Sequence, residues 1–103
     1  MVVRRFNSKR FGPQNVSELP QVKGVYLVLD RYGRVQYVGK SNNLQRRLME
    51  HLNDGDIRDA RHFTAYQTRT DGAATSLEKK LIRRHCPPYN VQNTQDCFEE
   101  DGW

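Results

Sequence analysis

The first twenty positions carry no regular alternation of apolar and polar residues. MVVRRFNSKR is mostly charged or polar, and Gly12-Pro13 and Leu19-Pro20 break up the remainder of the segment. This predicts a basic N-terminal arm over residues 1–17 and an extended entry at Leu19, because the residue before a proline is driven out of helix. Val25-Tyr26-Leu27-Val28-Leu29 then concentrates β-branched, aromatic and aliphatic side chains and predicts a strand. Asp30-Arg31-Tyr32-Gly33 has the residues of a tight turn. A second strand runs from Arg34 to Val38 and stops at Gly39, so the two form a β-hairpin. Leu44, Leu48 and Leu52 fall one turn apart and predict a helix capped by Asn42 or Asn43 and ending near Asn53. Asp54-Gly55-Asp56 is a loop. His62 to Arg69 alternates as a third strand, and Asp71-Gly72 turns the chain. Thr75 or Ser76 caps a second helix that runs to about Arg84, where Pro87-Pro88 ends the segment. The order is β-β-α-β-α, without internal repeats. It predicts an α+β domain, a small three-stranded antiparallel sheet with flanking helices over residues 18–92.

Composition narrows the class. With 103 residues and 36% hydrophobic side chains, there is one domain and a thin core. No run approaches the roughly 18 apolar residues of a membrane span, and no apolar stretch comes after the N-terminal charges, so a cytoplasmic protein with no membrane partner is expected. The net charge of +5 hides an asymmetry, because Asp96, Glu99, Glu100 and Asp101 lie in an acidic tail, residues 93–103. Residues 1–95 hold 17 basic and 8 acidic side chains, a balance of +9. Such a surface suits a polyanion, of which nucleic acid is the commonest. Cys86 and Cys97 have neither disulfide-framework nor zinc spacing and are expected as free thiols.

Helical geometry then singles out side chains that packing alone does not explain. With Leu77 at 0° and about 100° per residue, Ala74, Leu81 and Ile82 fall at about 60°, 40° and 140°. Glu78 falls at about 100°, inside that apolar stripe. A carboxylate turned towards a core is costly unless it is paired, hydrogen-bonded or bound to a cation. Lys79, Lys80, Arg83 and Arg84 project elsewhere, and the plain alternative is a carboxylate at the rim of a thin core or paired with a distant Arg. On the other helix Arg47 and His51 share one edge of the leucine stripe, where an Arg can snorkel and a His can be a boundary residue. The hairpin adds Tyr26, Tyr37 and Lys40, with Gly24 and Gly39 as sites of close backbone approach.

Together these groups match the needs of phosphodiester hydrolysis. A hard cation on a carboxylate can hold a phosphate oxygen and the leaving group. An Arg can stabilise the charge that develops on phosphorus. A tyrosinate can take a proton from water, provided that Lys40, Arg47 and a cation depress a phenol whose pKa starts near 10.

The same residues resemble a known family. Gly24-Val25-Tyr26 and Tyr37-Val38-Gly39-Lys40 are similar to the paired signature of the GIY-YIG nuclease superfamily, with Val for Ile in both halves. Asn-Leu-x-x-Arg-Leu at 43–48 and Glu-x-x-Leu-Ile, five residues, Pro-Tyr-Asn at 78–90 come next in order. The pattern is nearest in look to the N-terminal nuclease domain of the excision-repair subunit UvrC. The resemblance implies a DNA endonuclease of repair or recombination that uses one Mg²⁺ or Mn²⁺ and leaves 5′-phosphate and 3′-hydroxyl ends. It implies Tyr26 as general base or water-orienting phenol, and Tyr37 as a hydrogen-bonding partner of the attacking water or a phosphate oxygen. Lys40 would support the tyrosines electrostatically, and Arg47 would contact the scissile phosphate. Glu78 would be the side-chain metal ligand, with Gly39 and Asn90 bracing the site from behind. Lys40, Arg46 and Arg47 would bind nucleic acid. His51 matches a His of phage homing endonucleases in the superfamily, where the UvrC-like pattern has other residues. Such cartridges are usually fused to a targeting domain or served by a protein partner.

Two other nuclease types fit poorly. Glu78-Lys79-Lys80 spells the ExK of PD-(D/E)xK nucleases, but on a helical rather than a strand period. Two-metal sites need several convergent carboxylates. The rival of another class is a catalytically silent module that binds nucleic acid or a partner, using the same Arg residues with Tyr26, Tyr37, Phe63 and Tyr66. Against it stands Glu78, which repels phosphate unless a cation intervenes. In either case duplex DNA binding measured by fluorescence anisotropy should weaken steeply between about 50 and 200 mM salt, and flat binding would remove the phosphate-contacting surface.

Overall fold

The computed structural model describes residues 2–90. The chain runs β1 (Val2–Arg10), α1 (Pro13–Ser17), β2 (Gly24–Leu29), β3 (Val35–Ser41), α2 (Leu44–Asp54), β4 (His62–Thr68) and α3 (Asp71–His85). All four strands form one antiparallel sheet in the order β1-β4-β2-β3. The α+β class and the hairpin therefore stand, but the sheet has four strands and not three. The extra strand is the segment expected to be an arm: β1 lines the outer side of β4, with Arg5 opposite Tyr66 and Phe6 opposite Ala65. Its side chains are exposed except for the half-buried Phe6, so the sequence shows no in-out alternation there. Charge on an outer strand is a common guard against edge-to-edge association. The Arg4 guanidinium lies 4.6 Å from the Phe6 ring centre.

Two apolar layers sandwich the sheet. On one face Tyr26, Val28, Phe63 and Ala65 pack against Val16 of α1, Leu44 and Leu48 of α2, and Ile57. On the other, Val25, Leu27 and Val38 pack against Ala74, Leu81 and Ile82 of α3. The period of two in β2 is what sends Tyr26 to the α2 side and Val25 to the α3 side.

Local chemistry sets the ends of the elements. Asn43 caps α2, its side chain accepting from the Arg46 amide, and Gly55 ends the helix in the left-handed conformation. The α3 helix starts at Asp71, earlier than expected, because the Thr70 hydroxyl accepts from the Ala73 amide; neither Thr75 nor Ser76 is the cap. At the hairpin turn, Asp30 is almost fully buried, and its carboxylate accepts from the Tyr32 and Arg34 amides and from the Arg34 and Gln36 side chains. Although burial works against the charge, those hydrogen bonds hold its carboxyl below the usual range. No helix among the described residues is long and apolar enough to cross a membrane. Cys86 is a free thiol, whereas Cys97 and the acidic tail at 93–103 lie outside the described residues.

One end of the sheet is β3, where the segment after α3 takes backbone groups of Gln36 and Val38. The Asn90 side chain accepts from the Val38 amide at 2.9 Å and donates to the Val38 carbonyl at 2.7 Å. The Tyr89 amide donates to the Gln36 carbonyl at 3.1 Å. These bonds tie Tyr89 and Asn90 to the edge of the sheet. Replacing Asn90 by Ala leaves both Val38 groups without that partner in a buried setting, so it should cost about 1–3 kcal/mol of unfolding free energy. Urea melts should show that loss beside an unchanged far-UV spectrum.

Candidate active site

Register decides what β2 and β3 present. Tyr26 lies opposite Gly39 and Val28 opposite Tyr37, which puts both phenols on the α2 face. The Tyr26 ring lies against Gly39: a Cβ there would stand 2.5 Å from the Tyr26 hydroxyl oxygen and 2.8 Å from Tyr37 Cε2. Only glycine allows that crossing. The rings of Tyr26 and Tyr37 lie 6.0 Å apart, and His51 of α2 stands over both at 5.6 and 5.2 Å.

His51 is a weaker signal than Glu78 in the sequence, yet it is the hub of this cluster. It is buried, at 3% exposure, as is Tyr26, at 1%. Its Nε2 lies 2.8 Å from the Tyr26 hydroxyl, and its Nδ1 lies 3.0 Å from each carboxylate oxygen of Asp56. The sequence predicts only a loop at Asp56, so this is the member of the cluster that sequence reasoning misses. The signal available is its place directly after Gly55, whose left-handed conformation turns the chain back over the last turn of α2.

The acidity of Tyr26 runs against expectation. Burial and then the neighbouring Tyr37 push its phenol far above the ordinary value, and the Arg47 guanidinium offsets only part of this. A cation beside a phenol favours the phenolate, but loss of hydration opposes it more strongly here. Tyr26 is therefore a neutral phenol in this structure. Arg47 is half-buried on α2 and donates to Glu50 at 2.9 Å. Arg46 is exposed and donates to Asn42 at 3.0 Å.

Lys40 and Glu78 form a second group. Lys40 is three residues beyond Tyr37 on β3, so strand alternation sends it to the opposite, α3 face. The structure sets Lys40 by Glu78, not among the tyrosines. Burial pushes the Glu78 carboxyl up, and the charges of Lys40 and then Lys79 pull it back. Among the described residues the Glu78 carboxylate accepts no hydrogen bond and forms no ion pair within 4.0 Å. No cluster of three or more His, Cys, Asp or Glu side chains with metal-holding geometry occurs among the described residues. A lone carboxylate of this kind fits Mg²⁺, which keeps several waters and binds through one or two carboxylates plus substrate phosphates. The two groups flank β3, an edge strand of the sheet, and Asn90 braces that strand at Val38.

Gly39→Ala should force the Tyr26 and Tyr37 rings apart at a stability loss of about 1–3 kcal/mol. A changed His51 ring signal in NMR, together with a lower urea midpoint, would show it; an unperturbed ring would mean that the crossing is not tight.

Known proteins share this fold. The model of the UvrC-like GIY-YIG domain matches residues 22–91. UvrABC system protein C of Dictyoglomus thermophilum is 36% identical over 89 residues, and that of Methylococcus capsulatus is also 36% identical over 89 residues. The matches cover 81% and 79% of this chain but 15% of either relative, so the chain spans a small part of their length. Among solved structures, a point mutant of the GIY-YIG N-terminal endonuclease domain of UvrC from Thermotoga maritima, bound to its catalytic divalent cation, superposes with a TM-score of 0.65 at 25% identity. That match covers 74% of this chain and 90% of the other. The same domain bound to magnesium gives a TM-score of 0.61 at 24% identity, a likeness of fold. Since the matched stretch contains the hairpin, the Arg47 helix and the Glu78 helix, the chain belongs to the family of UvrC-like GIY-YIG domains.

Proposed function

We propose that this chain is a metal-dependent endonuclease that hydrolyses DNA phosphodiester bonds. The observation that carries the proposal is Glu78, a half-buried carboxylate without a hydrogen bond or close ion pair among the described residues, flanking the same strand as Tyr37 and, through Gly39, Tyr26. A purely anion-binding surface has no use for such a group.

Glu78 holds one divalent cation, Mg²⁺ or Mn²⁺, which when bound polarises a phosphate oxygen and steadies the leaving group. Arg47 leaves Glu50 and donates to the non-bridging oxygens of the scissile phosphate, where negative charge grows in the transition state. Tyr37, the more exposed of the two phenols, orients the attacking water against Tyr26. Lys40 and Arg46 contact flanking phosphates. The water oxygen forms the new bond to phosphorus as the bond to the 3′ oxygen breaks, which leaves 5′-phosphate and 3′-hydroxyl ends. Support for a repair setting comes from the likeness to UvrABC system protein C, and a fused domain or protein partner supplies target choice.

The test is cleavage of single-stranded, duplex and branched DNA with Mg²⁺, Mn²⁺ or EDTA, beside the Glu78→Gln protein. Nicking that needs the cation and falls by at least about 10³-fold in Glu78→Gln is expected. Salt-sensitive binding without turnover under every condition would favour the silent binding module. A Glu78→Gln protein that fails to fold would make Glu78 a structural carboxylate.

A further inference from the structure

Tyr26 poses a chemical problem for hydrolysis at this site. A base must be able to receive a proton, yet this phenol is buried and neutral. It can act only if its own proton leaves as the water's proton arrives. The group at 2.8 Å from its hydroxyl is His51 Nε2, and the direction of that hydrogen bond is settled by the partner of the other ring nitrogen. Asp56 offers both carboxylate oxygens at 3.0 Å to His51 Nδ1. An ionised carboxylate only accepts, so Nδ1 must carry a hydrogen. In a neutral imidazole Nε2 is then bare and accepts from the Tyr26 O–H.

We propose, resting on the nuclease reading, that Asp56 is a positioning residue that locks His51 as its Nδ1–H tautomer, so that Tyr26, His51 and Asp56 form a one-way proton relay. The water gives a proton to the Tyr26 oxygen as the Tyr26 proton passes to His51 Nε2. The water's oxygen bonds to phosphorus, the 3′ oxygen departs with the electron pair of its broken bond, and solvent protonates it. The imidazolium is held against the Asp56 carboxylate and later returns its proton to solvent. The Asp56 side chain is 46% exposed, which lets its charge stay hydrated while one side faces the ring. Its position comes from the backbone: the Gly55 amide donates to the His51 carbonyl at 2.9 Å, and the chain doubles back over the residue it orients. Tyr37 and Arg47 act on Tyr26, and among the described residues the hydrogen-bond partner of Nδ1 is Asp56.

The test combines nitrogen NMR of the His51 ring with cleavage kinetics on the full chain, for wild type, Asp56→Asn and Asp56→Glu. Wild type should show the proton on Nδ1 and a bare Nε2. Asp56→Asn should lower kcat by about 10²–10⁴-fold with little change in KM, and should move ring protonation towards Nε2, as expected when an orienting carboxylate becomes an amide. Asp56→Glu should recover part of both. A wild-type ring protonated at Nε2 alone, or an Asp56→Asn protein that cleaves at the wild-type rate, would overturn the relay. The ring measurement needs no substrate. An inactive wild type therefore rejects the nuclease reading, while the tautomer still decides whether Asp56 sets the ring.

Discussion

Tyr26 and Gly39 face each other across β2 and β3, and the rest of the site depends on that register. A slip of one residue would exchange the faces of every side chain on a strand. Tyr26 would leave His51, and Lys40 would leave the α3 side. The register is held from three directions. β4 pairs with the other side of β2, placing Ala65 opposite Tyr26. Asn90 holds Val38 at the outer side of β3. Gly39 offers no Cβ to obstruct the ring that crosses it. Sheet pairing and site geometry are thus one constraint, and a change that disturbs either disturbs both.

Much of the fold is legible in the sequence because its signals are local. The leucines of α2 repeat at a helical period, and the hairpin has apolar strands around an Asp-to-Gly turn. β1 is not legible, since its pairing with β4 joins residues as distant as Arg5 and Tyr66, and its exposed side chains leave no alternation. The start of α3 is predicted too late for a different reason. Asp71-Gly72 is a good turn signal, but in a first helical turn the amides lack intrahelical partners anyway, so the Thr70 cap and the burial of Ala74 decide the competition.

The site divides in the same way. Glu78 is legible because a helical wheel needs only the sequence. The position of Lys40 comes from strand parity, and grouping it with the tyrosines ignores that parity. The acidity of Tyr26 is not legible, because charge can be counted along a sequence while hydration is lost only on packing. Asp56 lies outside any periodic element. Its role comes from a chain reversal that brings it over His51, which its separation of five residues from that ring does not reveal by itself.

Separation by the sheet also keeps the charged groups available. If Arg47 and Glu78 shared a face, they would pair, and a half-buried ion pair is hard to open because each charge would be left without its partner. Arg47 instead pairs with Glu50, both partly open to solvent, with side-chain exposures of 38% and 47%. Surface pairs of this kind contribute only about 0–1 kcal/mol, so an incoming phosphate can replace Glu50 with little opposition. Glu78 meanwhile faces Lys40 without a close ion pair and stays open to a cation. Each charge therefore has a neighbour other than the opposite member, Glu50 for Arg47 and Lys40 for Glu78, and the two do not neutralise each other.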